Sequence, residues 1–126
     1  MANPAPGFRQ RPEHTITVTP YKGRVTVSVG GTGIADTTNA LSLKEASYPA
    51  VFYVPFEDID FLILSKAAKS THCPFKGNAS YWDIATSGAT LEAAVWAYET
   101  PYDEMQKIAG HAAFYADKTT IEATPA

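Results

Sequence analysis

Residues 71 to 82, Thr-His-Cys-Pro-Phe-Lys-Gly-Asn-Ala-Ser-Tyr-Trp, gather the chain's only cysteine, a histidine beside it and a lysine three residues on. Lys76 could lower the pKa of Cys73, and a thiolate would then be a competent nucleophile. His72 is badly placed as its base, because adjacent residues of an extended chain point to opposite sides. The bland alternative is a buried, inert thiol acting as a small hydrophobe, with His72 capping a turn. Inert is the expectation for Cys73.

Glu45 is the second candidate. In Ala40 to Glu45 the side chains of Leu41, Leu43 and Glu45 share one strand face. If the leucines point into the core, the carboxylate enters at its edge and must find a donor or be held protonated. Tyr53, Tyr81, Trp82, Trp96 and Tyr98 supply rings with polar tips, which suit a small-molecule pocket and equally suit a second small core. Glu45, Tyr53, His72, Lys76 and Tyr81 are expected to converge on one cavity, with the Pro74-to-Gly77 turn at its mouth, and Cys73 counts with Tyr53, Tyr81, Trp82, Trp96 and Tyr98 among the ligand-binding residues. There Glu45, His72 and Lys76 would orient a polar ligand, one bearing both a cation and an anion being an option. The same three are the catalytic candidates for the alternative, a small hydrolase or transferase with Glu45 or His72 as acid–base and Lys76 stabilising charge. A structural or interaction module without a ligand is the third reading.

Other chemistries fit less well. Structural zinc wants four ligands in paired spacing, and one cysteine with three scattered histidines does not supply them. A three-ligand centre around His72 and Glu45 is the remaining metal alternative. Neither a metal nor a cofactor is expected. Gly30-Gly31-Thr32-Gly33 lacks the Lys-Ser/Thr ending of a phosphate loop and leads into a strand, so it reads as a hairpin turn. Thirteen acidic against ten basic residues give a net charge of −3, which argues against a nucleic-acid partner. The one basic cluster, Arg9, Arg11, Lys22 and Arg24, lies in or near the N-terminal arm, away from the aromatics that single-strand binding would need.

At 126 residues the chain has the length of one domain. Charged residues make up 18%, below the globular average of about 25%. Cys73 has no partner for an intramolecular disulfide, the N-terminus does not read as a signal peptide, and the apolar window Val51 to Leu64 is broken by Glu57, Asp58 and Asp60. These features predict a cytoplasmic protein with no membrane partner. Its oligomeric state is open.

Residues 1 to 13, rich in proline, read as a flexible arm or one that orders on contact. Strands are predicted at Thr15 to Thr19 and at Arg24 to Val29, with Val25, Val27 and Val29 on one face. Others follow at Ile34 to Asp36, Ala40 to Glu45 and Val51 to Val54. Phe61 to Leu64, apolar on both faces, reads as a strand buried on both sides. Tyr81 to Ile84 and Leu91 to Tyr98 flank the Thr86-Ser87-Gly88 turn as a hairpin. Thr100-Pro101-Tyr102-Asp103 resembles a helix start, followed by the stripe Met105, Ile108, Ala109 and Ala112, and predicts a helix over 101 to 114. A short strand at Thr119 to Glu122 closes the series. One β-rich domain over 14 to 123 results, with a tail at 124 to 126.

Several of these pieces are similar to a known family. Leu43-Lys44-Glu45, Val51-Phe52-Tyr53-Val54-Pro55, Thr71-His72-Cys73-Pro74-Phe75-Lys76-Gly77, Ala79-Ser80-Tyr81-Trp82 and Ala94-Val95-Trp96-Ala97-Tyr98 stand in its order and spacing. The chain resembles domain of unknown function 427 over about residues 22 to 122. The resemblance implies a mainly-β single domain of coiled antiparallel sheets, barrel-like and similar in topology to the Rab-associated factor Mss-four, with one C-terminal helix. It implies no activity. The family has been labelled nucleotidyltransferase-like, but this chain lacks the Gly-Ser turn followed by an Asp-x-Asp pair that such chemistry requires.

Overall fold

The computed structural model describes residues 2–126 and is a mainly-β domain of two antiparallel sheets. Strands β1 (Ile16–Pro20), β4 (Leu41–Glu45), β5 (Val51–Pro55), β6 (Leu64–Cys73), β7 (Gly77–Thr86), β8 (Ala89–Ala97) and β9 (His111–Phe114) form a seven-stranded sheet in the order β1-β4-β5-β9-β8-β7-β6. β2 (Gly23–Val29), β3 (Thr32–Thr37) and β10 (Thr120–Pro125) form the second, in the order β10-β2-β3.

The expected alternation in β2 holds, with Val25 and Val27 fully buried. The β2–β3 turn is made by Gly30 and Gly31, whose φ values of 54° and 84° are ones that β-branched residues avoid. Val27 and Ile34 of the small sheet pack on Val54, Ile84, Val95 and Phe114 of the large one, giving the inter-sheet core. The opposite face of the large sheet carries a second cluster, with Leu43, Tyr53, Tyr81 and Tyr98. Met105 and Ile108 cover part of that face, and burying side chains of this size contributes about 1.5–3 kcal/mol each.

Three expectations are corrected. The large sheet does not close into a barrel, because β1 and β6 remain its edges. β1 ends at Pro20, which has no N–H for a further ladder, and β6 exposes Lys66 and Lys69, as a guarded edge strand does. The helix over 101 to 114 is absent. Asp103–Ile108 is a short 3₁₀ segment interrupted at Met105, with no side-chain cap, and His111–Phe114 is strand β9. Gly110 at φ 74° breaks the segment, and the fully buried Ala112 and Ala113 let β9 sit between β5 and β8. Finally, Phe61–Ile63 is a 3₁₀ turn, capped by the Asp60 carboxylate accepting from the Leu62 N–H, and Leu62 is 97% exposed.

The described part of the N-terminal arm makes specific contacts. A short helix, α1 (Pro6–Gln10), places the Gly7 N–H on the Pro74 carbonyl at 2.9 Å and sets Phe8 edge-on against Phe75. Asn3 exchanges two hydrogen bonds with Asp103. No helix among the described residues is long and apolar enough to cross a membrane.

Candidate functional site

β6 and β7 meet at Cys73 and Gly77, so Pro74, Phe75 and Lys76 form a tight connection. Gly77 has φ 120°, and a Cβ there would approach Pro101 Cα at 3.4 Å. This bend turns Phe75 and Lys76 inward: both are only 8% exposed. His14, just ahead of β1, stacks on the Phe75 ring with centroids 4.1 Å apart.

Glu45 ends β4, where β1–β4 pairing sets it opposite Ile16. Its Oε1 accepts from Lys76 Nζ at 2.5 Å, and its Oε2 lies 2.9 Å from His14 Nε2. Both carboxylate oxygens are therefore engaged. Burial alone would raise the Glu45 pKa, but hydrogen bonds and charge from Lys76, then His14, outweigh it and hold the carboxyl below its ordinary value.

Lys76 and Glu45 line a cavity of about 310 Å³, at the lower end of the roughly 300–1,000 Å³ typical of small-molecule sites. Its walls carry Tyr53, Tyr81, Trp96, Tyr98 and Tyr115, with Leu43 and Val51 as apolar floor and Tyr48 and Pro49 of the β4–β5 loop at the side. Strand alternation explains the set. Tyr81 faces Trp96 across β7–β8, and Leu43 faces Val51 across β4–β5, all on the face away from the small sheet.

The hydroxyls differ in what they have left to give. Tyr53 Oη accepts from the Trp96 indole N–H at 3.2 Å, which leaves its own O–H free to donate. Tyr81 Oη shares a hydrogen bond with Thr71 Oγ1 at 2.9 Å. Tyr98 Oη has no hydrogen-bond partner among the described residues, and its ring lies 5.8 Å from Lys76 Nζ. Burial pushes Tyr53 and Tyr98 well above the usual phenol range, so both remain protonated donors at neutral pH. Lys76 Nζ carries three donors and spends one on Glu45.

The structure thus brings together Glu45, Tyr53, Lys76, Tyr81, Trp96 and Tyr98. It does not bring in three others. His72 is exposed, with Nδ1 2.7 Å from Asn78 Oδ1 and Nε2 3.5 Å from Tyr102 Oη; edge strand β6 turns it outward. Trp82 follows Tyr81 in β7 and so points to the opposite face, where it meets Phe56 and Phe61 in the inter-sheet core. Cys73 is half-buried against the tyrosine cluster without lining the cavity. Sequence reasoning did not place His14 or Tyr115 here. His14 has no local signal: it reaches Glu45 only because β1 pairs with β4 rather than with its sequence neighbour β2. No group of three or more His, Cys, Asp or Glu suited to a metal ion occurs among the described residues.

No curated protein matches the chain. Residues 17–124 match the family model described as Domain of unknown function (DUF427), a span that takes in Glu45, the Pro74–Gly77 bend and every aromatic wall of the cavity; the chain belongs to that family.

Proposed function

We propose that the protein binds a small molecule in the tyrosine-walled cavity, with Lys76 as the anchor for an oxygen-rich or anionic group. The observation that carries this reading is an excess of donors. Glu45 has both oxygens occupied, whereas Lys76 Nζ and the Tyr53 and Tyr98 hydroxyls retain N–H or O–H groups directed at no acceptor among the described residues. A carboxylate or other oxyanion would satisfy them together, and charge-assisted hydrogen bonds are roughly twice as strong as neutral ones. An ammonium ligand would meet Lys76 as a like charge while Glu45 is already paired.

Glu45 then has a positioning role: it holds Lys76 in one rotamer and neutralises part of its charge. The aromatic walls supply apolar contact and exclude water, which strengthens the polar contacts inside. The Pro74–Gly77 bend fixes Lys76 at the cavity edge, in keeping with a pre-formed site.

Thermal-shift measurements with matched pairs, butyrate against butylamine and benzoate against benzylamine, test the reading. A ligand at a hundred times its dissociation constant stabilises by about 2.7 kcal/mol. The carboxylates should raise Tm in the wild type and fail to do so in Lys76→Met. Stabilisation by the amines alone, or an equal response in Lys76→Met, would overturn the reading. Chemical turnover of a bound carboxylate would move it from binding to catalysis.

A further inference from the structure

A second cavity, of about 460 Å³, adjoins the first. Tyr48, Pro49, Val51, Trp96 and Tyr115 line both, so the two share a wall. The second is otherwise apolar, with Phe52, Phe114 and Ile121 at its far side.

Its origin lies in the strand pairing. β5 and β9 are paired only at Val54–Ala112 and Pro55–His111. Continued in register, the ladder would set Tyr53 opposite Ala113, Phe52 opposite Phe114 and Val51 opposite Tyr115, and none of these pairs forms. β9 instead stays with β8, where Val95 faces Phe114 and Trp96 faces Ala113. β5 stays with β4 through Leu43–Val51, Ser42–Phe52 and Leu41–Tyr53. The sheet therefore forks between β5 and β9, and the apolar cavity occupies the fork. Val51 and Phe52 on one prong remain only half-buried.

Resting on the proposed oxyanion site at Lys76, we infer that the two cavities form one site for an amphiphile: an alkyl carboxylate whose head meets Lys76, Tyr53 and Tyr98 and whose tail lies in the β5–β9 fork. The shared wall argues for one occupant. A tail leaving the donor cavity past Val51 and Trp96 enters a space with no charged side chain in its lining, which an acyl chain can fill and a second polar group cannot. The lining on the far side, Phe52, Phe114 and Ile121, suits methylenes by shape-tolerant apolar contact rather than by hydrogen bonding. The Tyr48–Pro49 loop runs beside both compartments and is exposed, so a long ligand has a route in.

NMR titration with butyrate, hexanoate and octanoate tests this, with hexylamine and hexanol as controls. Each added methylene that enters the fork should tighten binding about fourfold, from the usual transfer energy per methylene. Ile121→Thr and Phe52→Thr should flatten that dependence while leaving butyrate affinity unchanged. Resonances of Trp96 and Tyr115 should shift with every member, and those of Ile121 and Phe114 only with the longer ones. Butyrate binding that is lost in Lys76→Met but shows no gain with chain length would overturn this inference and leave the oxyanion site standing. Hexanol binding as tightly as hexanoate would overturn it too, since the tail would then act without the head. The same holds if the fork is already closed by a second copy of the chain, seen as a dimer that octanoate does not dissociate. Failure of every carboxylate to bind would remove both this inference and the reading beneath it.

Discussion

Lys76 Nζ donates to Glu45 Oε1 at 2.5 Å, tying the β6–β7 bend to the end of β4 across 31 residues of sequence. The lysine side chain is 9% and the glutamate 21% exposed, so the pair is partly desolvated rather than a surface bridge. Removing one partner leaves the other without its main hydrogen bond. Lys76→Met should destabilise the fold by about 2 kcal/mol, a figure typical of lost hydrogen bonds to charged groups. Chemical denaturation of Lys76→Met, Glu45→Gln and the double variant should show a coupling energy well above the scatter of the fits. Strict additivity would mean that the pair contributes nothing.

The same pair sets an acid limit. The Glu45 pKa in the folded protein lies below its ordinary value of 4.5, with burial opposing the shift and Lys76 and His14 producing it. A carboxylate with a lowered folded pKa binds fewer protons in the folded than in the unfolded chain. Its contribution is therefore complete above about pH 4.5 and declines as pH falls through the lowered folded value. Tm measured from pH 6 downward should fall less steeply in Glu45→Gln than in the wild type. Parallel curves would place the acid sensitivity elsewhere.

Docking of the N-terminal arm depends on a missing side chain. A Cβ at Gly7 would lie 2.6 Å from Phe75 Cδ1 and 2.8 Å from the Pro74 carbonyl oxygen. Gly7→Ala should loosen α1 from the bend at a cost of about 1–3 kcal/mol, as overpacking does. Hydrogen exchange of the backbone amide at position 7 should accelerate in the variant, and limited proteolysis should begin within residues 2–13. An unchanged exchange rate would show that the arm and the bend are not coupled.

Cys73 is half-buried against the tyrosine cluster, and the neighbouring His72 is turned to Asn78 and Tyr102. A disulfide reagent at neutral pH should modify native protein slowly and denatured protein at once. Rapid reaction of the native thiol would revive a covalent mechanism.

Much of this fold was legible because side-chain alternation is a local property. Val25, Val27 and Val29 marked β2, the glycine pair marked its turn, and Leu41, Leu43 and Glu45 gave the face on which the carboxylate lies. Two elements were not. Pro101, Met105 and Ile108 imitate a helix start, but Gly110 and the burial of Ala112–Ala113 between two strands override that local signal. β6 is polar and largely exposed, and an edge strand needs no apolar stripe. The site divides along the same line. Glu45, Lys76, Tyr53, Tyr81 and Tyr98 were singled out from strand faces and from the bend, whereas Tyr115 was not, and His14 arrives by a non-sequential pairing that no local pattern encodes.

Isothermal titration of hexanoate against wild type, Lys76→Met and Glu45→Gln, each first shown to be folded by its NMR spectrum, tests the donor site most directly. Lys76→Met should weaken binding at least tenfold, about 1.4 kcal/mol. Glu45→Gln should bind as tightly as wild type or more tightly, because a glutamine oxygen still accepts from Lys76 and holds it in place but no longer neutralises its charge. Loss of binding in Glu45→Gln with retention in Lys76→Met would contradict the account, since the site would then recognise a cation.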